Sequence, residues 1–352
     1  MYYRLRQNPD PNPVLDINVR LDHTSPNRLL YLLPHVQIKN QTLTSLLKPE
    51  LSLKLPRPHQ RLLQAARNQT PLRTLFDQGG EIGTTLTAML TDGLLTIGPP
   101  VPPLPSDPKE KWLVLAPHLD DAALSVGGVL LQRSNNVELV ISSFTSTYRY
   151  SDSILCGNIG AVTRLRHQEE ELFCNMVGAR KVDGGLDDAD IRVDGIEPFR
   201  LPTAHELDLH RDLADRLFHK EKPDRIYAPM GVGGHADHVS LHAAIIELIA
   251  AWRSTNPAVR VFIYEDLPYA SISPCQLLDG VRRLKESQRV APVFEDITEI
   301  LPDKLWSIGI YQSQTVQTFQ ACTNTHAKNM GQEMNPGSDR HAERLWELTS
   351  AT

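Results

Sequence analysis

From Lys111 onward the chain alternates apolar runs with amphipathic helical stretches, and this rhythm restricts its fold more than any other feature. "KWLVLA" is an apolar run, "DAALSVGGVLLQRS" is helical, and "NVELVISSF" reads as a strand. "AVTRLRHQEEELFCNMVGA" and "LDLHRDLADRLFHKEK" have helical periodicity, "PDRIYAPM" is strand-like, "DHVSLHAAIIELIAAWRS" is helical, and "VRVFIYEDLPY" is again a strand. Alternation of this kind predicts an α/β fold, a mostly parallel sheet with helices on both faces. In such sheets ligands bind at the carboxyl ends of the strands.

Upstream of this body lies "IGPPVPPLPSDPKEK", where five prolines within nine positions deny the backbone both helical and sheet hydrogen bonds. The expected division is a first unit over residues 1–97, a proline-rich linker over 98–111 and the body over 112–352, as a chain of 352 residues suggests. Within the first unit, helices are predicted near 58–67, after Thr70-Pro71, and near 81–91, with Gly93 stopping the last before the strand "LLTI". "VLDINVRLD" and "HVQIKN" could add edge strands. Helix, helix, helix, strand is winged-helix order, and the unit resembles small α+β winged-helix modules of PqqD type, which bind leader peptides in peptide-modifying pathways.

Two polar clusters follow predicted strands. His118, Asp120 and Asp121 lie just past "KWLVLA", and "GVGGHADH", with His235, Asp237 and His238, lies just past "RIYAPM". Two loops thereby bring histidines and carboxylates to one rim. Two imidazoles and a carboxylate can hold Zn²⁺ at about 2.0–2.2 Å with positions left for water and substrate. The same donors suit Fe²⁺ or another divalent ion. Adjacent side chains on an extended loop point apart, so Asp120 and Asp121 are not expected to share the ion. If Asp121 faces the metal, Asp120 is free to act as a general base toward water. In "HADH" one histidine ligates and the other can polarise a carbonyl, with Asp237 orienting an imidazole.

Each cluster has a plainer explanation. An acidic pair after a strand is ordinarily a helix N-cap, and an isolated H-x-x-H is common. Together, at two strand ends of one α/β frame, they are far more specific. Gly231, Gly233 and Gly234 permit the close turns such a loop needs.

At these residues the sequence resembles the PIG-L (LmbE-like) family of zinc-dependent deacetylases, which remove an N-acyl group from amino sugars. "APHLDDAALSVGG" matches the family's P/A-H-P-D-D-E motif, "HADH" its H-x-D-H, and "RLRHQEEELFCNMVGA" its R-x-x-E helix. "YEDLPYA" and "AERLWEL" extend the likeness over about residues 111–348. The resemblance implies a Rossmann-like fold with His118, Asp121 and His238 as zinc ligands and Asp120 as general base. It places His235 at the position that stabilises the oxyanion or protonates the leaving amine, with Asp237 as its partner. Leu119 stands where the family has Pro, and Ala122 where it has Glu.

Arg166 and Glu169, three residues apart, form an exposed helical pair on the plainer reading. The resemblance makes Arg166 a candidate for binding substrate hydroxyls or bracing the first loop. Glu265, Asp266 and Tyr269 of "YEDLPY" could line the pocket, or Asp266 could cap the turn before Pro268. The remaining histidines, among them His205, His210, His219, His242 and His326, are expected to be surface or core residues.

The expected activity is hydrolysis of a linear amide C–N bond in a small N-acyl amine. Two other readings are a peptide or carrier-bound substrate recruited by the first unit, and a DNA-binding regulator with a ligand-sensing body. Residues 1–104 carry 11 Lys and Arg against 7 Asp and Glu, a net +4 too weak for a nucleic-acid partner, while the whole chain is at −6. A general base also has no purpose in a sensor. No apolar stretch approaches the roughly 18–20 residues of a membrane span, and no secretory signal opens the chain, so a cytoplasmic location without membrane partners is expected. Cys156, Cys174, Cys275 and Cys322 form no C-x-x-C pair and are expected to be reduced. The oligomeric state is left open.

Overall fold

The apolar run after the prolines becomes a central strand because it is buried on both faces. In a computed structural model the described residues are 28–39, 42–55, 62–63, 85–86, 88–90, 92–99, 102, 105–133, 136–193 and 196–349. The body contains β6 (Glu110–Ala116), α1 (Asp121–Gln132), β7 (Val137–Thr147), α2 (Ile159–Val177), β8 (Ala179–Asp187), α3 (Ala189–Arg192), α4 (Ala204–Glu221), β9 (Arg225–Pro229), α5 (Ala236–Thr255) and β10 (Arg260–Tyr264). It continues with α6 (Tyr269–Ile272), α7 (Pro274–Ser287), β11 (Val290–Asp296), α8 (Leu301–Ile308), α9 (Val316–Met334) and β12 (Ala342–Leu348).

Seven strands form one sheet in the order β11-β12-β10-β9-β6-β7-β8. The five strands from β10 to β8 are parallel, while β12 runs antiparallel to both β10 and β11. The chain leaves β6 for β7 and β8 on one side, then returns to place β9 and β10 on the other. The reversal falls between β6 and β9, where a crevice opens at the carboxyl ends of the strands. The expected mostly parallel α/β body is therefore present. Strands β8, β11 and β12 were not anticipated: their Asp, Glu, Arg and Gly residues interrupt any apolar run.

Local signals fix the helix ends. Thr203 and Glu206 form a reciprocal capping box at α4, and Gly178 ends α2 at φ 62°. Gly331 inside α9 lies against the backbone of Arg340, where an added Cβ would stand 1.8 Å from the carbonyl oxygen. Backbone cannot yield as a side-chain tip does, so Gly331→Ala is expected to cost about 1–3 kcal/mol. Thermal unfolding of the variant, with a clearly lowered Tm, checks this.

In the first unit β1 (Leu29–Leu32) pairs antiparallel with β5 (Leu95–Gly98), and β2 (Val36–Lys39), β3 (Thr42–Ser45) and β4 (Ser52–Lys54) form a second antiparallel sheet. Val36–Lys39 of "HVQIKN" and Leu95–Ile97 of "LLTI" thus lie in strands, whereas "VLDINVRLD" and most of the three predicted helices fall outside the described residues. Leu29, Leu30, Leu95 and Ile97 share one apolar cluster with Phe173, Met176 and Tyr311 of the body. β6 starts at Glu110, two residues before the expected boundary. All four cysteines are unpaired. Among the described residues no helix is long and apolar enough to cross a membrane.

Candidate metal centre and cleft

His118 follows β6, Asp188 follows β8, the His235–His238 segment follows β9, and Asp266 follows β10. Four parallel strands thus deliver polar side chains to one end of the sheet. His118 Nδ1, Asp121 Oδ2 and His238 Nε2 converge, with separations of 3.3 Å, 3.4 Å and 3.2 Å. Three donors about 2.0–2.2 Å from a shared tetrahedral ion lie roughly 3.3–3.6 Å apart, so this set fits a small divalent cation.

The partners behind the donors agree with that fit. His238 donates from Nδ1 to Asp266 Oδ1 at 2.7 Å, which leaves its Nε2 lone pair toward the other two donors. His118 Nε2 is 3.3 Å from Asp237 Oδ2, and its backbone N–H donates to Asp121 Oδ2 at 2.8 Å. Burial opposes charge on His118, but the neighbouring Asp121, Asp188 and Asp237 carboxylates outweigh it and hold the imidazole well above its ordinary value. Burial likewise opposes the Asp121 carboxylate, and the His238 and His118 rings keep it below the usual range.

A second group, His118, Asp188, His235 and Asp237, also lies within ligating reach of one another. Asp237 there is already engaged: Arg192 donates to its Oδ1, Ala189 N donates to Oδ2 at 3.2 Å, and His210 Nε2 lies 3.4 Å from Oδ1. Among the described residues no Arg or Lys side chain hydrogen-bonds to Asp121, and the set of His118, Asp121 and His238 is the stronger candidate.

Asp120 occupies the N-cap of α1, yet its side chain makes no capping hydrogen bond. Its Oδ1 instead accepts from Arg166 Nη2 at 3.1 Å, and the Arg166 guanidinium stacks 4.0 Å over the Tyr148 ring. Burial pushes the Asp120 carboxyl up from its ordinary value against the pull of Arg166. His235 accepts the Asp237 N–H at Nδ1, 3.3 Å away, which assigns its proton to Nε2. Burial, reinforced by the neighbouring His118 charge, lowers the His235 imidazole to about 3, so the ring is neutral.

His118, Asp120, Asp121, Arg166 and His235 border a cleft of about 710 Å³, within the range of small-molecule sites. Its lining includes the polar residues Asp188, Asp190, Arg149 and Gln314 and the aromatic residues Phe199, Tyr269 and Phe319. The Phe199 ring stands edge-on to His235 at 5.3 Å, and Phe199 pairs with His235 as an isolated β-bridge. Gly233, at φ 96°, lets the loop pass beneath Tyr269, whose ring would stand 2.3 Å from an added Cβ.

Several expected placements need correction. Arg166 and Glu169 are not an exposed pair: both are buried, and Glu169 accepts from Ser313 rather than from Arg166. Glu265 does not border the cleft; it is buried among His326, Arg344 and Trp346. Asp266 neither lines the cleft nor caps its turn by its side chain, which accepts from His238 and from Val232 N. Tyr269 does border the cleft. His210 and His326 are buried, as expected of core histidines, though His210 reaches Asp237. Leu119 packs with Tyr148 and Val162, and Ala122 lies in the main core.

Asp188 was missed, because β8 was not read as a strand. Its Oδ1 is buried without a hydrogen-bond partner, 3.7 Å from His118 Nε2 and 3.8 Å from His235 Nε2. The Asp187-Asp188 pair, resembling Asp120-Asp121, was the available signal. Arg192, which engages Asp237, carried none.

Residues 113–249 match the family described as PIG-L: GlcNAc-PI de-N-acetylase. A 2'-N-acetylparomamine deacetylase from Streptomyces fradiae is 26% identical over 256 residues, which cover 67% of this chain and 89% of that protein. The structure is also similar to that of the zinc-inhibited form of teicoplanin deacetylase Orf2, with a TM-score of 0.50 at 17% identity, covering 68% of this chain and 98% of that one. That likeness is one of fold.

Proposed function

We propose that the PIG-L family domain at residues 113–249 makes this chain a zinc-dependent hydrolase that removes an N-acetyl group from an amino sugar or a related small metabolite. The observation that carries the reading is the convergence of His118, Asp121 and His238 beside a buried carboxylate, Asp120, that does not join them. The 2'-N-acetylparomamine deacetylase supports an amino-sugar substrate.

His118, Asp121 and His238 would hold a divalent ion, which would supply Lewis acidity at the acyl carbonyl and the attacking water. Asp120 takes a proton from that water as it adds to the carbonyl, and Arg166 keeps the carboxylate in place. His235, neutral with its proton on Nε2, donates to the oxygen that gains negative charge. Asp237 accepts from the His118 ring and from Arg192, so it steadies the rim on which both histidines sit. The C–N bond then breaks; the amine leaves with the proton that Asp120 took from the water, and acetate is released.

Incubation of the zinc-loaded protein with 2'-N-acetylparomamine and with N-acetylglucosamine tests this. Acetate release from at least one, abolished by a chelator and restored by zinc, is expected. No acetate from either, with one zinc bound, would overturn the reading.

A further inference from the structure

The N-terminal strands and the cleft meet through one loop, residues 309–315, between α8 and α9. On the strand side, Thr96 Oγ1 of β5 donates at 2.9 Å to Trp306 O in the last turn of α8, just ahead of the loop. Gly93, at φ 67°, leaves space filled by the Gln312 side chain, whose Oε1 would stand 2.6 Å from a Cβ at that position. Ile310 and Tyr311 are buried in the cluster that contains Leu30, Leu95 and Ile97.

On the cleft side, α2 grips the same loop. Tyr311 OH donates to Glu170 Oε2 at 2.7 Å, and Ser313 donates to Glu169 from N at 2.8 Å and from Oγ at 2.5 Å. Glu169 lies one turn beyond Arg166, which holds Asp120. Ser313 O accepts from Asp152 N at 2.8 Å and Ser151 Oγ at 2.7 Å, tying in the segment that brings Arg149 and Tyr150 to the cleft wall.

The next residue, Gln314, borders the cleft and is otherwise buried. Its Nε2 donates to Ser313 O at 3.1 Å and lies 3.2 Å from Ser313 Oγ. A carbonyl oxygen can only accept, which fixes the orientation of the amide and leaves Oε1 as its group available to the cleft. Residue 314 lies outside the 113–249 family match.

We propose that Gln314 is a specificity residue that reads a hydrogen-bond donor, a hydroxyl or an ammonium, on the moiety carrying the acetamido group, and that β5 positions it through the 309–315 loop. The proposal rests on the deacetylase reading above. It makes the N-terminal strands part of the substrate site. Asp188 and Asp190 also line the cleft and add acceptors for a donor-bearing ligand.

The test uses the full-length zinc-loaded chain with two probes: N-acetylglucosamine, rich in donors, and N-acetylcyclohexylamine, which has the amide but no hydroxyl or amine. Loss of one hydrogen bond predicts that Gln314→Ala raises KM for N-acetylglucosamine about three- to tenfold with kcat within about twofold, and leaves kcat/KM for N-acetylcyclohexylamine unchanged. Thr96→Val, far along the chain from the cleft residues, is expected to raise KM for N-acetylglucosamine in the same way and to speed amide exchange over 309–315. Equal losses on both probes, or no loss on either, would overturn the role of Gln314. Unchanged exchange and KM in Thr96→Val would overturn the positioning role of β5. If the wild type cleaves neither probe, the deacetylase reading fails separately only when 2'-N-acetylparomamine is also left intact. Calorimetric binding of glucosamine to Gln314→Ala and exchange in Thr96→Val then decide the inference, and wild-type values in both overturn it.

Discussion

Asp120→Asn is expected to lower turnover about 10³-fold, within the range for loss of a general base, while zinc content stays at one per chain. Asparagine keeps the side chain's size and an oxygen for the Arg166 guanidinium, so the loop has no reason to move. What disappears is the capacity to take a proton. The neighbouring residue gives the contrast: Asp121 points into the donor set, 3.3 Å from His118 Nδ1 and 3.4 Å from His238 Nε2, whereas Asp120 turns to Arg166. Acetate release together with metal analysis of the purified variant separates the two roles. Turnover near that of the wild type would remove Asp120 as base; loss of zinc would show it to be a ligand.

His238→Ala is expected to lose both zinc and activity. Its ring is fully buried, and its Nε2 meets the other two donors while Nδ1 is held by Asp266. Alteration of an outer partner such as Asp266 typically weakens metal affinity about 10–100-fold. Removal of the ligand itself should exceed that, so His238→Ala should emerge from gel filtration without metal, and Asp266→Asn should still fill at raised zinc concentration. A competition titration against a zinc chelator measures both. Equal affinities for His238→Ala and the wild type would place the ion elsewhere, with the His118, Asp188, His235 and Asp237 group as the next candidate.

The readable and unreadable parts of the sequence divide along physical lines. β6 and β9 are buried on both faces, so their apolar runs are unbroken and the loops after them stand out as polar. β8 is a sheet edge with alternating exposure and two glycines, which reads as a loop and hides the placement of Asp188. "YED" showed that acids follow β10, but not that Glu265 and Asp266 turn to opposite sides. Asp266 reaches His238, and Glu265 reaches Arg344 on β12, a strand almost eighty residues away in sequence. Helical spacing put Arg166 and Glu169 on one face of α2, yet an exposed and a buried face have the same spacing. Here Asp120 and the Tyr148 ring cover Arg166, and the 309–315 loop covers Glu169 and Glu170, so the face is buried.

X-ray absorption at the zinc K-edge of the reconstituted protein tests the divided site most directly. The expected spectrum shows only nitrogen and oxygen neighbours at about 2.0–2.2 Å, with the multiple scattering of two imidazoles that drops to one in His118→Ala or His238→Ala, should either retain zinc. Sulfur scattering near about 2.3 Å, or a spectrum unchanged by both substitutions, would contradict a metal centre built from His118, Asp121 and His238.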